Sequence, residues 1–167
     1  MSERARQTLE ADAWMSVVHA YLACQRRYAQ MLEHYDLTIA QFEFLAALRR
    51  HPDGVTPRVI AEELLVTKGN ITGLIGRLEA RELVHRRPHA SDGRSFICEL
   101  TGDGLALCRA AGAAAGRFVR AQLAPFADVD LERTRDQMLE MRAILDQLNP
   151  DAMAHPEITA GGKAHHA

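Results

Sequence analysis

Long apolar runs are absent from this chain of 167 residues. No stretch approaches the roughly 20 consecutive apolar residues that a membrane span requires. The charged opening MSERARQTLE lacks the apolar centre of a secretory signal. These two absences exclude a membrane partner and predict a cytoplasmic protein. Aromatic residues are scarce, at 5%, while Ala and Leu abound, so strong helix formers outweigh the residues that sheets favour. A mainly helical fold is expected. The cysteines Cys24, Cys98 and Cys108 are odd in number and lack metal-ligand spacing, and a reducing cytoplasm keeps them as thiols. His19 and His34 have no local partner at ligand spacing, so no metal or cofactor is expected. A glycine-rich phosphate loop, an HExxH helix and a nucleophile elbow are all missing. The acidic pairs Glu62-Glu63 and Asp128-Asp130 fall at helix positions that call for solvent or caps, and the chain does not read as an enzyme.

An excess of positive charge is also missing: the formal net charge is -2. Its distribution matters more than its total. Between residues 65 and 98 six bases (Lys68, Arg77, Arg81, Arg86, Arg87 and Arg94) face three acids (Glu79, Glu82 and Asp92). That segment is +3 and the remainder -5, which describes an acidic body with one basic face suited to nucleic acid.

What is present is periodic. Over residues 14–35 the apolar positions follow a helical stripe, with Trp14, Tyr21, Tyr28 and Tyr35 seven residues apart. Such a stripe packs into a core or against a partner helix. Thr38 and Gln41 have capping-box spacing, so a second helix begins at Ile39, buries Phe42, Leu45 and Leu48, and stops before Pro52-Asp53-Gly54. Thr56 before Pro57 offers a capping hydroxyl for a short third helix reaching about Leu64. Thr67 is placed to cap a fourth, in which Ile71, Leu74, Ile75 and Leu78 form the buried stripe. Two short helices joined so tightly read as helix-turn-helix. Strands are expected at 83–88 and 95–100, with the Asp92-Gly93 pair turning the hairpin into a wing. An Ala-rich helix then runs to about Leu123, and Pro125 ends it. A last helix over 131–148 places Leu131, Met138 and Leu145 with Thr134, Met141 and Leu148 at heptad spacing. Residues 149–167 have no period and are expected to be disordered.

The buried stripe of the fourth helix determines what faces outward. At 100° per residue Gly69, Gly73, Gly76 and Ala80 lie opposite it, with Asn70, Thr72 and Arg77 on the flanks. A glycine in a helix costs about 1 kcal/mol relative to Ala. A face with three of them suggests that its backbone must approach something closely, such as the floor of a DNA groove. Thr67, Lys68, Asn70 and Thr72 occupy the helix start, where side chains enter the major groove and phosphate is favoured. Asn70 suits an adenine edge, and Thr72 a thymine methyl or a phosphate.

The stretch 55–105, above all VTKGNITGLIGRLEARELV and the wing sequence Asp92-x-Arg94 followed by a strand and Leu100-Thr101, resembles the MarR family of winged helix-turn-helix regulators. With the flanking helices the resemblance covers residues 14–148. It implies that Arg94 is the wing arginine of the minor groove and that Asp92 supports the wing. Leu65 and Gly93 stand where the family often has Gly and Arg; Arg86, Arg87 and His89 are candidates to replace the lost contact. Peroxide-sensing members carry a reactive Cys near the start of the first helix, where this chain has Trp14, and Cys24 is expected to be packing. Members that bind aromatic or phenolic acids use a cleft beside the dimerisation helices; for it Trp14, His19, Tyr21 and Arg26 offer stacking and a cation.

The expected protein is therefore mainly α with a small β-hairpin wing: a winged helix-turn-helix core at 39–100 and dimerisation helices at 11–35 and 102–148, in one domain of residues 1–148. Its expected role is that of a homodimeric transcription regulator, a repressor, on a pseudopalindromic double-stranded DNA operator with a small-molecule effector. A winged-helix adaptor that binds protein is the alternative.

Overall fold

The computed structural model describes residues 1–64, 68–91 and 95–154, Lys68 in its backbone only. Helices α1 (Glu3–Glu33), α2 (Ile39–Arg49), α3 (Pro57–Glu63) and α4 (Lys68–Glu79) precede strands β1 (Val84–Pro88) and β2 (Phe96–Leu100). Helices α5 (Gly102–Leu123), α6 (Asp128–Leu145) and α7 (Pro150–Ala154) follow. The chain is mostly helical with one antiparallel hairpin, and it divides into two compact units, Met1–Ala121 and Gln122–Ala167.

The first unit is built round α2. Its capping box is complete: Thr38 Oγ1 accepts from the Gln41 amide at 3.2 Å and Gln41 Oε1 accepts from the Thr38 amide at 2.9 Å. Helix α2 buries Phe44, Leu45, Ala47 and Leu48, whereas Phe42, expected in the core, is half-buried against Tyr28. Ile60 of α3, the α4 stripe Ile71, Leu74, Ile75 and Leu78, Val84, Cys98 and Cys108 complete one continuous core. The hairpin registers Val84 with Leu100 and Pro88 with Phe96. A bridge from Val55 to Cys98 ties it to the turn before α3.

Helices α1 and α4 end in the same way. Asp36 and Glu82 adopt φ of 51° and 56°. In each case the following leucine donates its amide five residues back, Leu37 to Leu32 and Leu83 to Leu78. This is the Schellman closure, with an acid where glycine is usual. Both leucines are buried, so packing holds a backbone conformation that the side chain at the corner disfavours.

Four expectations need correction. Helix α1 begins eleven residues before Trp14, at Glu3, capped by Ser2 and laced by the Arg6–Glu10 pair; local polar contacts, not apolar period, carry that extension. Its stripe enters the core only at the C-terminal end, where Leu32 is buried, while Trp14 and Tyr21 are 52% and 59% exposed. The Thr56 hydroxyl makes no cap bond to α3, although Pro57 stands at the first helical position as expected. Residues 150–154, expected to be disordered, form α7, whose first amides are accepted by Asn149 Oδ1. The rest of that tail, 155–167, lies outside the described residues. In the second unit α6 occupies 128–145 rather than 131–148, since Asp128 and Asp130 favour the positive end of a helix.

Candidate nucleic-acid interface

Helix α4 is asymmetric. Ile71, Leu74, Ile75 and Leu78 are buried, and Gly69, Asn70, Thr72, Gly73, Arg77 and Ala80 are exposed. A Cβ built on Gly69, Gly73 or Gly76 would meet nothing within 4 Å. No contact among the described residues therefore requires glycine there. The result is a shallow strip of bare backbone along an otherwise anchored helix, with Asn70 at its start and Arg77 at its end. Arg77 is in no ion pair among the described residues. A groove of about 350 Å³ runs beside the strip, lined by Gly69, Asn70, Gly73 and Arg77 of α4 and by Ala40 and Glu43 of α2. Glu43 was not selected from sequence; its exposed place on α2, one turn after Ile39, was the available signal.

The strands engage their cations internally. Arg86 Nη2 lies 2.7 Å from Glu79 Oε2, and its guanidinium sits 4.8 Å from the centre of the Phe96 ring. Arg87 pairs with Glu99 and donates to the Asp53 carbonyl at 2.8 Å. Glu99 also holds His85 Nε2 at 2.8 Å. The Arg87 contact first, and His85 after it, hold the Glu99 carboxyl below its ordinary range. Gly54 has φ +77°, and a Cβ there would stand 2.5 Å from Glu99 Cγ. The Pro52–Gly54 turn is thus pressed against the wing strand by a contact only glycine permits. Arg86 and Arg87 brace the hairpin on α4 and on this turn, and His89 is half-buried near the hairpin tip, its Nδ1 3.4 Å from the Ser91 amide. Thr67, Asp92 and Arg94, the Lys68 side chain, and the Leu65 and Gly93 departures lie outside the described residues.

The expected effector residues Trp14, His19, Tyr21 and Arg26 are all exposed on α1, and Tyr21 Oη accepts from Gln25 Nε2 at 2.5 Å. None lines the cavities beside Asn70, Tyr35 or Arg109. Burial pushes the Cys98 thiol up to about 11 and raises that of Cys108, which leaves little thiolate near neutral pH. The three cysteines are unbridged, and no helix among the described residues is long and apolar enough to cross a membrane.

Comparison with known proteins bears on this same segment. The model of the MarR family matches residues 35–95. The transcriptional regulator PecS of Dickeya dadantii is 32% identical over 88 residues, 52% of this chain and 53% of that protein. The transcriptional repressor NicR of Pseudomonas putida is 42% identical over 71 residues, 42% of this chain and 44% of that one. The chain spans about half the length of these curated relatives. In fold, it is similar to MepR of S. aureus in a complex with DNA, with a TM-score of 0.70 and 23% identity, covering 80% of this chain and 96% of MepR. Over the segment that carries its helix-turn-helix and wing, the chain matches the MarR family model and is similar to transcriptional regulators of that kind.

Proposed function

We propose that the protein is a DNA-binding transcription regulator, a repressor acting in the cytoplasm as a homodimer on a pseudopalindromic operator. The observation that carries this reading is α4: a helix anchored by four buried apolar residues that turns a side-chain-free strip, flanked by Asn70 and Arg77, to the outside. Rigid on one face and bare on the other, it can sink into a major groove until backbone meets base edges. Asn70 reads a base edge, Arg77 and Thr72 take phosphate or base, and Thr67 and Lys68 position the helix start on phosphate. Arg94, supported by Asp92, enters the adjoining minor groove, and His89 adds a contact from the hairpin. Arg86 and Arg87 contribute potential while they hold the wing.

Two such helices about one DNA turn apart, roughly 34 Å, require a dimer. The apolar residues exposed on α1 and α6 support one, with the dimerisation helices at 11–35 and 102–148. The effector is a small molecule, an aromatic or phenolic acid, held near Trp14, His19, Tyr21 and Arg26, and its binding retunes the spacing of the two reading helices.

Titration of operator and random DNA over a salt series tests the DNA reading. Arg94→Ala is expected to weaken both DNAs alike and to lower the salt slope by about 1. Asn70→Ala is expected to cost about 1–3 kcal/mol on the operator and little on random DNA. Equal weakening of both DNAs by Asn70→Ala would move base reading to Thr72 or Arg77; no salt-dependent binding to any DNA would favour the protein-binding adaptor.

A further inference from the structure

The groove beside α4 carries charges of both signs. Asn70 and Arg77 bound it from the reading helix and Glu43 bounds it from α2, the one acid among the described residues that line it. Glu43 and Arg77 are both exposed, and they share the groove without forming an ion pair. An open space therefore separates an acceptor from a donor. Its walls are short: Ala40 on α2, and on α4 Gly69 and Gly73, where a Cβ would meet nothing within 4 Å.

Duplex DNA offers such a groove two kinds of partner. A phosphate would satisfy Arg77, but in the same groove it would meet the Glu43 carboxylate, and like charges repel. A base pair can satisfy both side chains. Across the major groove a G·C pair presents two neighbouring acceptors on guanine, N7 and O6, and then one donor on cytosine, N4. An A·T pair places its donor between two acceptors, so it cannot present a bidentate acceptor to a guanidinium and a donor to a carboxylate at once. Arginine has donors only and an ionised glutamate has acceptors only. Held apart on the two sides of one groove, they match G·C in full.

We infer that Glu43 is a specificity-determining residue: with Arg77 it reads one G·C pair in each operator half-site, Arg77 donating to guanine O6 and N7 and Glu43 accepting from cytosine N4. The inference rests on the DNA-binding reading proposed above and narrows it to operators with a G·C pair at this position. Asn70 precedes Arg77 by seven residues on α4, about 10 Å along the helix axis. The adenine that Asn70 suits therefore lies no more than about three base-pair steps from the G·C pair. On any other sequence the carboxylate is a penalty, because it repels phosphate without accepting a bond from a base. Glu43 thus lowers affinity for DNA in general and returns that loss only on the matching half-site.

Selection by the full chain from a pool of duplexes with a randomised centre, followed by titration of the selected duplex and of random DNA, tests the assignment. The parent is expected to select a G·C pair at a fixed place in each half, and exchanging that pair for A·T is expected to weaken binding by about 25-fold or more. Glu43→Gln and Arg77→Gln, both at exposed positions, are expected to melt like the parent and to lower this discrimination by about fivefold or more each. Their effects on random DNA have opposite signs: Glu43→Gln is expected to tighten it and Arg77→Gln to weaken it. Selected half-sites without a G·C pair, or a Glu43→Gln variant that keeps the parent's preference at every position, would overturn the inference. Tighter binding of all duplexes alike by Glu43→Gln, with every preference kept, would also overturn it and leave Glu43 a repeller of phosphate alone. A parent that binds no duplex of the pool even at low salt would remove the DNA reading itself, and this inference with it.

Discussion

Gly104→Ala isolates the contact that sets the wing against α5. A Cβ on Gly104 would overlap the carbonyl oxygen of Leu83 and stand 2.9 Å from its carbon. Ordinary contacts begin near 3.4 Å. Because the obstacle is backbone, no rotamer change relieves it, and either α5 or the start of β1 must move by half an ångström or more. Overpacking of this kind costs about 1–3 kcal/mol. The same movement loosens two hydrogen bonds that close the corner, from the Thr101 amide to the Leu83 carbonyl at 3.1 Å and from the Thr101 hydroxyl to the Glu82 carbonyl at 2.7 Å. Each contributes about 0.5–1.5 kcal/mol. Alanine returns at most about 1 kcal/mol of helix propensity. The net is a destabilisation of about 3 kcal/mol, which for a chain of this length lowers Tm by about 6–12 °C. Thermal melts followed by circular dichroism give the answer, with Gly73→Ala as the opposite case. Gly73 lies on an exposed helix face with nothing within 4 Å of its would-be Cβ, so alanine there is expected to stabilise the free protein by up to about 1 kcal/mol while weakening operator binding. A Gly104→Ala variant as stable as the parent would refute the close approach.

Leu145→Asp places a charge on an apolar stripe of α6 that is 53% exposed at that residue; sedimentation is expected to show monomers, and a dimer persisting at micromolar concentration would remove α6 from the interface. With Cys98 and Cys108 buried and their thiols raised, no more than one of the three thiols is expected to react rapidly with a disulfide reagent at pH 8 in the native protein. Fast reaction of two or three would show that the core opens. Because the native Glu99 carboxyl lies below its ordinary value near 4.5, its contribution to stability is complete above that value and is lost as pH falls through the native one. Glu99→Gln should therefore show a shallower loss of stability below pH 4.5 than the parent in urea titrations across pH, and an unchanged slope would mean that the exposed Arg87 and His85 contacts are screened away.

The parts of the fold that were legible in sequence are those written in local pattern. The α2 capping box, the buried stripe of α4, the hairpin after it and the helix break at Pro125 each follow from residues within one or two turns of each other. The early start of α1 was missed because residues 3–13 carry polar pairs and an N-cap instead of an apolar period. The site divides along the same line. The outward face of α4 follows from helical spacing alone. That Arg86 and Arg87 are occupied by Glu79 and Glu99 does not, since those partners depend on strand register and on the packing of α4 against β1. Counting charges between residues 65 and 98 found the basic segment but overstated how many of its cations are uncommitted.

Arg81 shows what charge counting also concealed. It was read as one more base of the basic segment, yet its Nη1 donates to the Asp36 carbonyl at 2.5 Å. Asp36 is the positive-φ residue that closes α1, and Arg81 stands one residue before Glu82, which closes α4 in the same conformation. A single side chain thus joins the ends of the two helices at corners that are themselves strained. Both corners are held by a buried leucine, Leu37 on one side and Leu83 on the other. Leu83 also offers the carbonyl against which Gly104 packs. A rotation of α1 at its C-terminal end would therefore pull on the end of α4 through Arg81, and on the start of α5 through the Leu83 corner. Arg81 and the Leu83 corner thus tie the end of α1 to the end of α4 and to the start of α5, beside the packing of α2 against both α1 and α4.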